Sequence, residues 1–425
     1  MKNLVLPLLF AVSLTACSSK HNPSTERQLL QMLEKKDIFR LQTRFEEKKT
    51  ELSQSIVLYL EAHLQNAFNQ TEQSSRTINT LLGNYSRSLS DTLLCKVYEI
   101  KSDNLFKQSR YRESAEALKI AIDKYGYTMD SVDLADNRDS YNIIEPLQEF
   151  PPQKIHITTD VTIPVSHNQF GHMLMSVMKD GQSEDFIFDT GANLSVVSES
   201  CAKRMGIRVL ESSSDIGNSS GSKVKSKVGI ADSLWIGALL LENVAFLVLS
   251  DESLSFPEIN YAIPGIIGFP VLYQMKEIAI GKESITVSVR PTKRSLHNLF
   301  FDGLSPIVRL EANGDTVRFK MDTGANKSEF SKQYFIANNN KIVENATKKT
   351  EKRGSAGSLI ENEVYELKNV PLKIGGRELT VPSIDVQTGE FSFLKDFDGN
   401  LGQDILSHFN KLILNFEDMY LAFDD

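Results

Sequence analysis

Cysteine is scarce: the 425 residues contain three. Cys95 and Cys201 can form at most one bridge, which excludes a disulfide framework. Both read as buried small apolar residues. No Cys-x-x-Cys and no His-x-x-x-His occurs, so no metal site is legible and no cofactor is implied. Basic runs are missing too. Lys and Arg number 47 against 55 Asp and Glu, and the net charge of −8 gives nucleic acid no surface to bind. The apolar run from Leu4 to Val12 falls well short of the roughly 20 residues a spanning helix needs. What remains is ordinary globular composition, 41% hydrophobic and 24% charged. The length exceeds one core, so two or three domains are expected.

The short apolar run belongs to "MKNLVLPLLFAVSLTAC", with Lys2 before it and small residues after it. That is the layout of a secretory signal over residues 1–16. Leu14-Thr15-Ala16-Cys17 resembles the lipobox of bacterial lipoproteins. The resemblance implies that Cys17 is the lipid-modified first residue of the mature chain and that the lipid ties it to a membrane. Ser18 rather than an aspartate follows Cys17, which by the sorting logic of such lipoproteins favours the outer membrane, facing periplasm or exterior. The plainer alternative is a cleaved signal with an incidental cysteine. Residues 17–26 are polar and aperiodic, a lipid-proximal tether.

Residues 27–127 carry apolar positions at helical spacing and no proline. Leu105, Phe106, Tyr111, Ala115, Leu118 and Ala121 resemble the interlocking positions of a tetratricopeptide repeat. A small helical bundle explains the same spacing. Residues 128–160, with Pro146, Pro151 and Pro152, read as a linker.

From there strands dominate, in two matching sets: 161–292 and 293–425. "HMLMSVMKDGQSEDFIFDTGAN" and "SPIVRLEANGDTVRFKMDTGAN" each give strand, turn, strand and the same pentapeptide. Asp180-Gly181 and Asn313-Gly314 are favoured two-residue hairpin turns. Each turn glycine stands eight residues before its aspartate. At nearly equal distances downstream come "GIIGFPVL", with Gly268, and "GNLGQDIL", with Gly402. Such a repeat has the size of a domain rather than of a solenoid unit.

Apolar residues, Asp-Thr-Gly-Ala-Asn, and a distant apolar pair with glycine resemble the aspartic proteases. The Ala and Asn are more like retropepsins than pepsins, here with two halves fused as in bacterial retropepsin-like proteins. The resemblance implies a multidomain chain: an N-terminal all-α helical region, then an all-β two-lobed aspartic protease, its acid-protease barrel repeated twice. It makes Asp189 and Asp322 the catalytic pair. Close carboxylates share one proton, so one acts as base on a water and the other as acid to the scissile carbonyl. The near-symmetric motifs leave open which does which. Gly191 and Gly324 let the backbone turn beside the carboxylates. By the resemblance, Thr190 and Thr323 hydrogen-bond across to the opposite loop. Asn193 and Asn326 align with residues that hold the substrate main chain, but here without charge. Ala192 and Ala325 stand where pepsin-like sites carry a hydroxyl and are counted with the two asparagines as substrate-binding. Ser195 and Ser328 read as loop supports. "DIGNSSGSKVKSK" and "EKRGSAGSLIEN" are candidate flaps, with Gly217, Gly221, Gly354 and Gly357 to bend them.

The leading expectation is a lipid-anchored endopeptidase of the cell envelope acting on peptides or proteins. The alternative is a catalytically silent peptide-binding or scaffold lipoprotein on the same fold. A third reading gives the main role to the helical region, recruiting a protein partner.

Overall fold

The computed structural model describes residues 21–217, 223–355 and 358–424. Cys17, Gly221 and Gly357 lie outside the described residues. The helical region holds α1 (Pro23–Glu34), α2 (Ile38–Lys48), α3 (Gln54–Ala67), α4 (Thr71–Asn84), α5 (Asp91–Lys107), α6 (Tyr111–Tyr125) and α7 (Ser131–Ile144). Helix starts follow their caps. The Asn22 side chain accepts from the Ser24 and Thr25 amides ahead of α1, and Ser90 accepts from Leu93 N ahead of α5. Each helix packs chiefly on its sequence neighbours. Hairpins α3–α4 and α5–α6 repeat one interlock: Ser74 Oγ donates to Ala62 O and Ser114 Oγ to Ser102 O, each at 2.8 Å. The six positions from Leu105 to Ala121 singled out above are all buried. Among the described residues no helix is long and apolar enough to cross a membrane.

Residues 128–160 are not simply a linker. Asp130 accepts from the amides of Val132 and Asp133 and starts α7, and the chain becomes extended only after a short turn at Glu145–Leu147. The apolar period there is weak, with Ile144 the one buried residue of α7. The cap, not the period, was the legible signal.

The β region has two lobes. Lobe 1 is a ten-stranded sheet and lobe 2 an eight-stranded one. A further five-stranded sheet joins them: Val161–Pro164, Glu277–Ile280 and Ser284–Val287 pair with Lys411–Asn415 and Tyr420–Asp424. The core is continuous across this joint, where the rings of Phe269, Phe301 and Phe416 lie within 4.9–5.8 Å of one another. Asp180 and Gly181, like Asn313 and Gly314, have positive φ, so both hairpins turn as their sequences require. In each lobe the strand before the landmark glycine is threaded between two others. Gly265–Ile267 runs parallel to the strand ending at Phe188 and antiparallel to Ser195–Ser198. Gly399–Leu401 does the same with the strand ending at Met321 and with Glu329–Phe330.

The helical region is seated on both lobes. Its core runs into Val228, Ile230 and Ala245 of lobe 1 and Phe300, Ile307 and Phe397 of lobe 2. Lys36 bridges Asp302 and Asp396 at 2.8 Å each. From α7, Asp136 and Asp139 hold Lys223 at 3.2 and 3.1 Å.

Candidate active site

Both motif aspartates sit where a strand hands over to a tight loop. Asp189 N donates to Ile267 O and Asp322 N to Leu401 O, which ties each to the threaded strand. The loops then clasp each other. Thr323 Oγ1 accepts from Thr190 N at 3.0 Å and donates to Phe188 O at 3.1 Å. Thr190 Oγ1 accepts from Thr323 N at 3.1 Å and donates to Met321 O at 3.2 Å. Both threonines are buried. Hydroxyls that are donor and acceptor at once satisfy four buried groups across the lobe boundary. That fixes one loop against the other.

The glycines explain how close the carboxylates come. A Cβ on Gly191 would lie 2.6 Å from Asp322 Cγ, and one on Gly324 would fall on the Asp189 carboxylate. Each glycine therefore makes room for the opposite aspartate. The landmark glycines are tied to the same loops. Gly268 N donates to Ser195 Oγ at 3.1 Å and Gly402 N to Ser328 Oγ at 2.8 Å. Phe269 N and Gln403 N donate to the carbonyls of Ala192 and Ala325. The two serines and two alanines thus serve as loop supports.

Asn193 and Asn326 each face a hairpin of the opposite lobe. Ser305 Oγ donates to Asn193 Oδ1 at 3.0 Å, and Gly171 lies against Asn326 Oδ1. Gly217 pairs with Lys223, and Gly354 with Leu359, in hairpins at matching places in the two lobes. Cys95 and Cys201 are buried and unpaired. Among the described residues no group of three or more His, Cys, Asp and Glu is arranged to hold a metal.

The two carboxylates are not equivalent. Asp322 accepts three donors: Gly324 N at 3.0 Å, Ala325 N at 2.9 Å and Asn400 Nδ2 at 3.2 Å. Asp189 accepts from Gly191 N at 2.7 Å and is also favoured in its ionised form by the Ala192 amide. Burial, and then the neighbouring charge of Asp322, push Asp189 up to about 7. Burial pushes His172 down, against the opposing pull of Asp322.

The residues before both motifs and before both landmark glycines are expected to be apolar from the sequence. Lobe 2 departs from that at Lys320 and Asn400, which are buried and pair with each other across the sheet. Lys320 lies on the Asp322 face of its strand, two residues before it. Burial pushes its ammonium down, against the opposing pull of Asp322, Asp189 and Asp302. A position-by-position overlay of the two repeats would have exposed both residues, opposite Ile187 and Ile266 of lobe 1.

The sequence of residues 175–271 matches the family model described as aspartyl protease, a stretch that contains the first motif and Gly268. No curated protein matches. Among solved structures, basic 7S globulin from soybean aligns with 63% of this chain and 95% of its own, at 12% identity and a TM-score of 0.40. The chain is an N-terminal helical region followed by a two-lobed β region, and residues 175–271 of lobe 1 match the aspartyl protease model.

Proposed function

We propose that this chain is an aspartic endopeptidase that hydrolyses peptide bonds with a water activated between Asp189 and Asp322. The observation that carries this reading is the reciprocal clasp of Thr190 and Thr323, with each motif glycine opened toward the opposite carboxylate. Close carboxylates in a buried site share one proton. Asp189, pushed up by burial, holds it near neutral pH. Asp322, with three donors upon it, is placed to act as the base. Asp322 takes a proton from the water as its oxygen attacks the scissile carbonyl carbon. Asp189 gives its proton to the carbonyl oxygen. The resulting diol collapses as Asp322 passes its proton to the leaving nitrogen, the C–N bond breaks, and Asp189 takes back a proton from a diol hydroxyl. Asn193 and Asn326 flank this centre and offer donors and acceptors to the substrate main chain. The hairpins around Gly217 and Gly354 close over it.

The same reading puts the enzyme in the cell envelope, anchored through lipid on Cys17 and reaching substrate from the outer membrane. The test is proteolysis by the full chain in detergent, with casein and a peptide mixture at pH 3 to 8, followed by mass spectrometry. Internal cleavage blocked by pepstatin is expected. Intact substrates at every pH would favour the silent peptide-binding alternative.

A further inference from the structure

The hairpins at matching places in the two lobes are anchored differently. In lobe 2 these ties stay within the lobe. Lys349 Nζ bonds Asp385 at 2.8 Å and Glu366 at 3.0 Å, and Lys327 Nζ bonds Glu351 at 2.7 Å. In lobe 1 both arms are held from outside, by α7. Asp139 Oδ1 accepts from Asp215 N at 3.2 Å, on the arm Ser214–Gly217. Asp139 Oδ2 and Asp136 Oδ1 accept from Lys223 Nζ at 3.1 and 3.2 Å, on the arm Lys223–Ile236. The two aspartates are three residues apart and so share one face of the helix.

The same helix reaches the row of side chains beside Asp189. Residues paired across neighbouring strands project from one face of a sheet. Ile187 pairs with Ile266, Ile266 with Val196, and Val196 with Leu247. Ile187 stands two residues before Asp189 and shares its face. Val196 and Leu247 form one apolar cluster with Leu194 and with Ile216 and Val224 of the hairpin arms, and Ile143 of α7 packs against it. Ile143 and Leu194 also pack against the core of the helical region. The matching row of lobe 2, formed by Lys320, Asn400, Glu329, Asp385 and Glu366, is polar and gives an isoleucine no such seat. The start of α7 looks to the other lobe. The amides of Asp133 and Val132, and beyond them the cation of Lys395 in lobe 2, hold Asp130 below its ordinary value.

We propose that α7 is an autoinhibitory strap: it occupies the apolar seat beside Asp189 and pins the lobe 1 hairpin that must move to admit a peptide. This rests on the endopeptidase reading and adds its regulation. Ile143 takes the place of a substrate side chain, and Asp136 and Asp139 hold both arms still. The strap is lightly attached. Ile144 is the one buried residue of α7, and the side chains of Asp136 and Lys223 are 61% and 46% exposed, so their ion pair stabilises little. A helix held in this way can leave without taking lobe 1 apart. Apparent substrate affinity then scales with the fraction of molecules whose strap has left.

The test is kcat/KM of the full chain for a fluorogenic peptide taken from the cleaved mixture, with hydrogen exchange of the hairpin amides in the same proteins. Asp136→Ala with Asp139→Ala frees both arms and leaves the dyad untouched. It should raise kcat/KM by about threefold or more, chiefly by lowering KM, and speed exchange over Ser214–Gly217. Ile143→Ser empties the apolar seat and should act in the same direction; it stands in if the double variant does not fold. The opposite change locks the strap. A disulfide between Asp139→Cys and Asp215→Cys should lower kcat/KM by about tenfold or more, and dithiothreitol should restore it. Unchanged or lower kcat/KM in the freed variants, with parental urea midpoints, would overturn the proposal, as would full activity in the locked one. If no variant cuts any peptide, the endopeptidase reading fails, and exchange alone decides the strap: faster exchange over the hairpin in the freed variants supports it, and unchanged exchange overturns it.

Discussion

Lobe 1 sets Ile187, Ile266 and Val196 beside its aspartate, and lobe 2 sets Lys320, Asn400 and Glu329 in the same frame. The threaded strand, the threonine clasp, the serine-to-glycine tie and the two turn glycines are common to both. What is shared is what holds two carboxylates together. What differs is what surrounds them and what they could hold. A fused pair of lobes can divide labour in this way, because each position may change in one half alone.

The comparison can be broken first at its shared part. Thr190→Ala and Thr323→Ala each remove one hydroxyl and leave an amide and a carbonyl of the opposite loop unpaired. Each should cost about 2–4 kcal/mol, by equal amounts in the two lobes, read from urea midpoints. A large inequality would mean that the clasp is not reciprocal.

Asp189 should make the stability of the fold depend on pH. The pKa of Asp189 in the folded chain stands above the ordinary carboxylate value, so the folded state keeps a proton that the unfolded chain releases. Its contribution to stability is complete below pH about 4 and is lost as pH rises through about 7. Asp189→Asn should therefore flatten the decline of stability over that window. It should leave the variant more stable than the parent at pH 8 by on the order of 2 kcal/mol. Thermal midpoints of the two proteins across pH check this.

Lys320 sharpens the difference further. Its cation favours the ionised dyad, so Lys320→Met should raise the apparent pKa values of the pair. The acid limb of the kcat/KM profile would move up by about one pH unit. Ile187→Met, the matching change in lobe 1, should leave the profile where it is.

The smallest effect is expected at the seat of α7. Lys223 is about half exposed, so Lys223→Ala should cost less than about 1 kcal/mol, measured by urea unfolding. A larger loss would make α7 a structural part of lobe 1.

The framework was legible because it repeats. Two Asp-Thr-Gly-Ala-Asn runs, two turn glycines and two landmark glycines mark the two lobes, whereas the strand threaded before each landmark glycine shows only in the register. The hydroxyls of Ser195 and Ser328 were legible only as loop supports, because their partners lie far along the chain. Helix α7 was missed since it buries little, and its start rests on one capping aspartate. The polar row of lobe 2 was missed for a different reason. Its members come from five strands, and only their register brings Lys320, Asn400, Glu329, Asp385 and Glu366 together. The five-stranded sheet that joins the lobes is also a matter of register rather than of local pattern.

The most direct measurement is peptide cleavage by Asp189→Asn and Asp322→Asn proteins, each shown to be folded by its urea midpoint. If one shared water is activated by both carboxylates, either change alone should lower kcat/KM by about a thousandfold or more. Full activity in either variant would contradict the account.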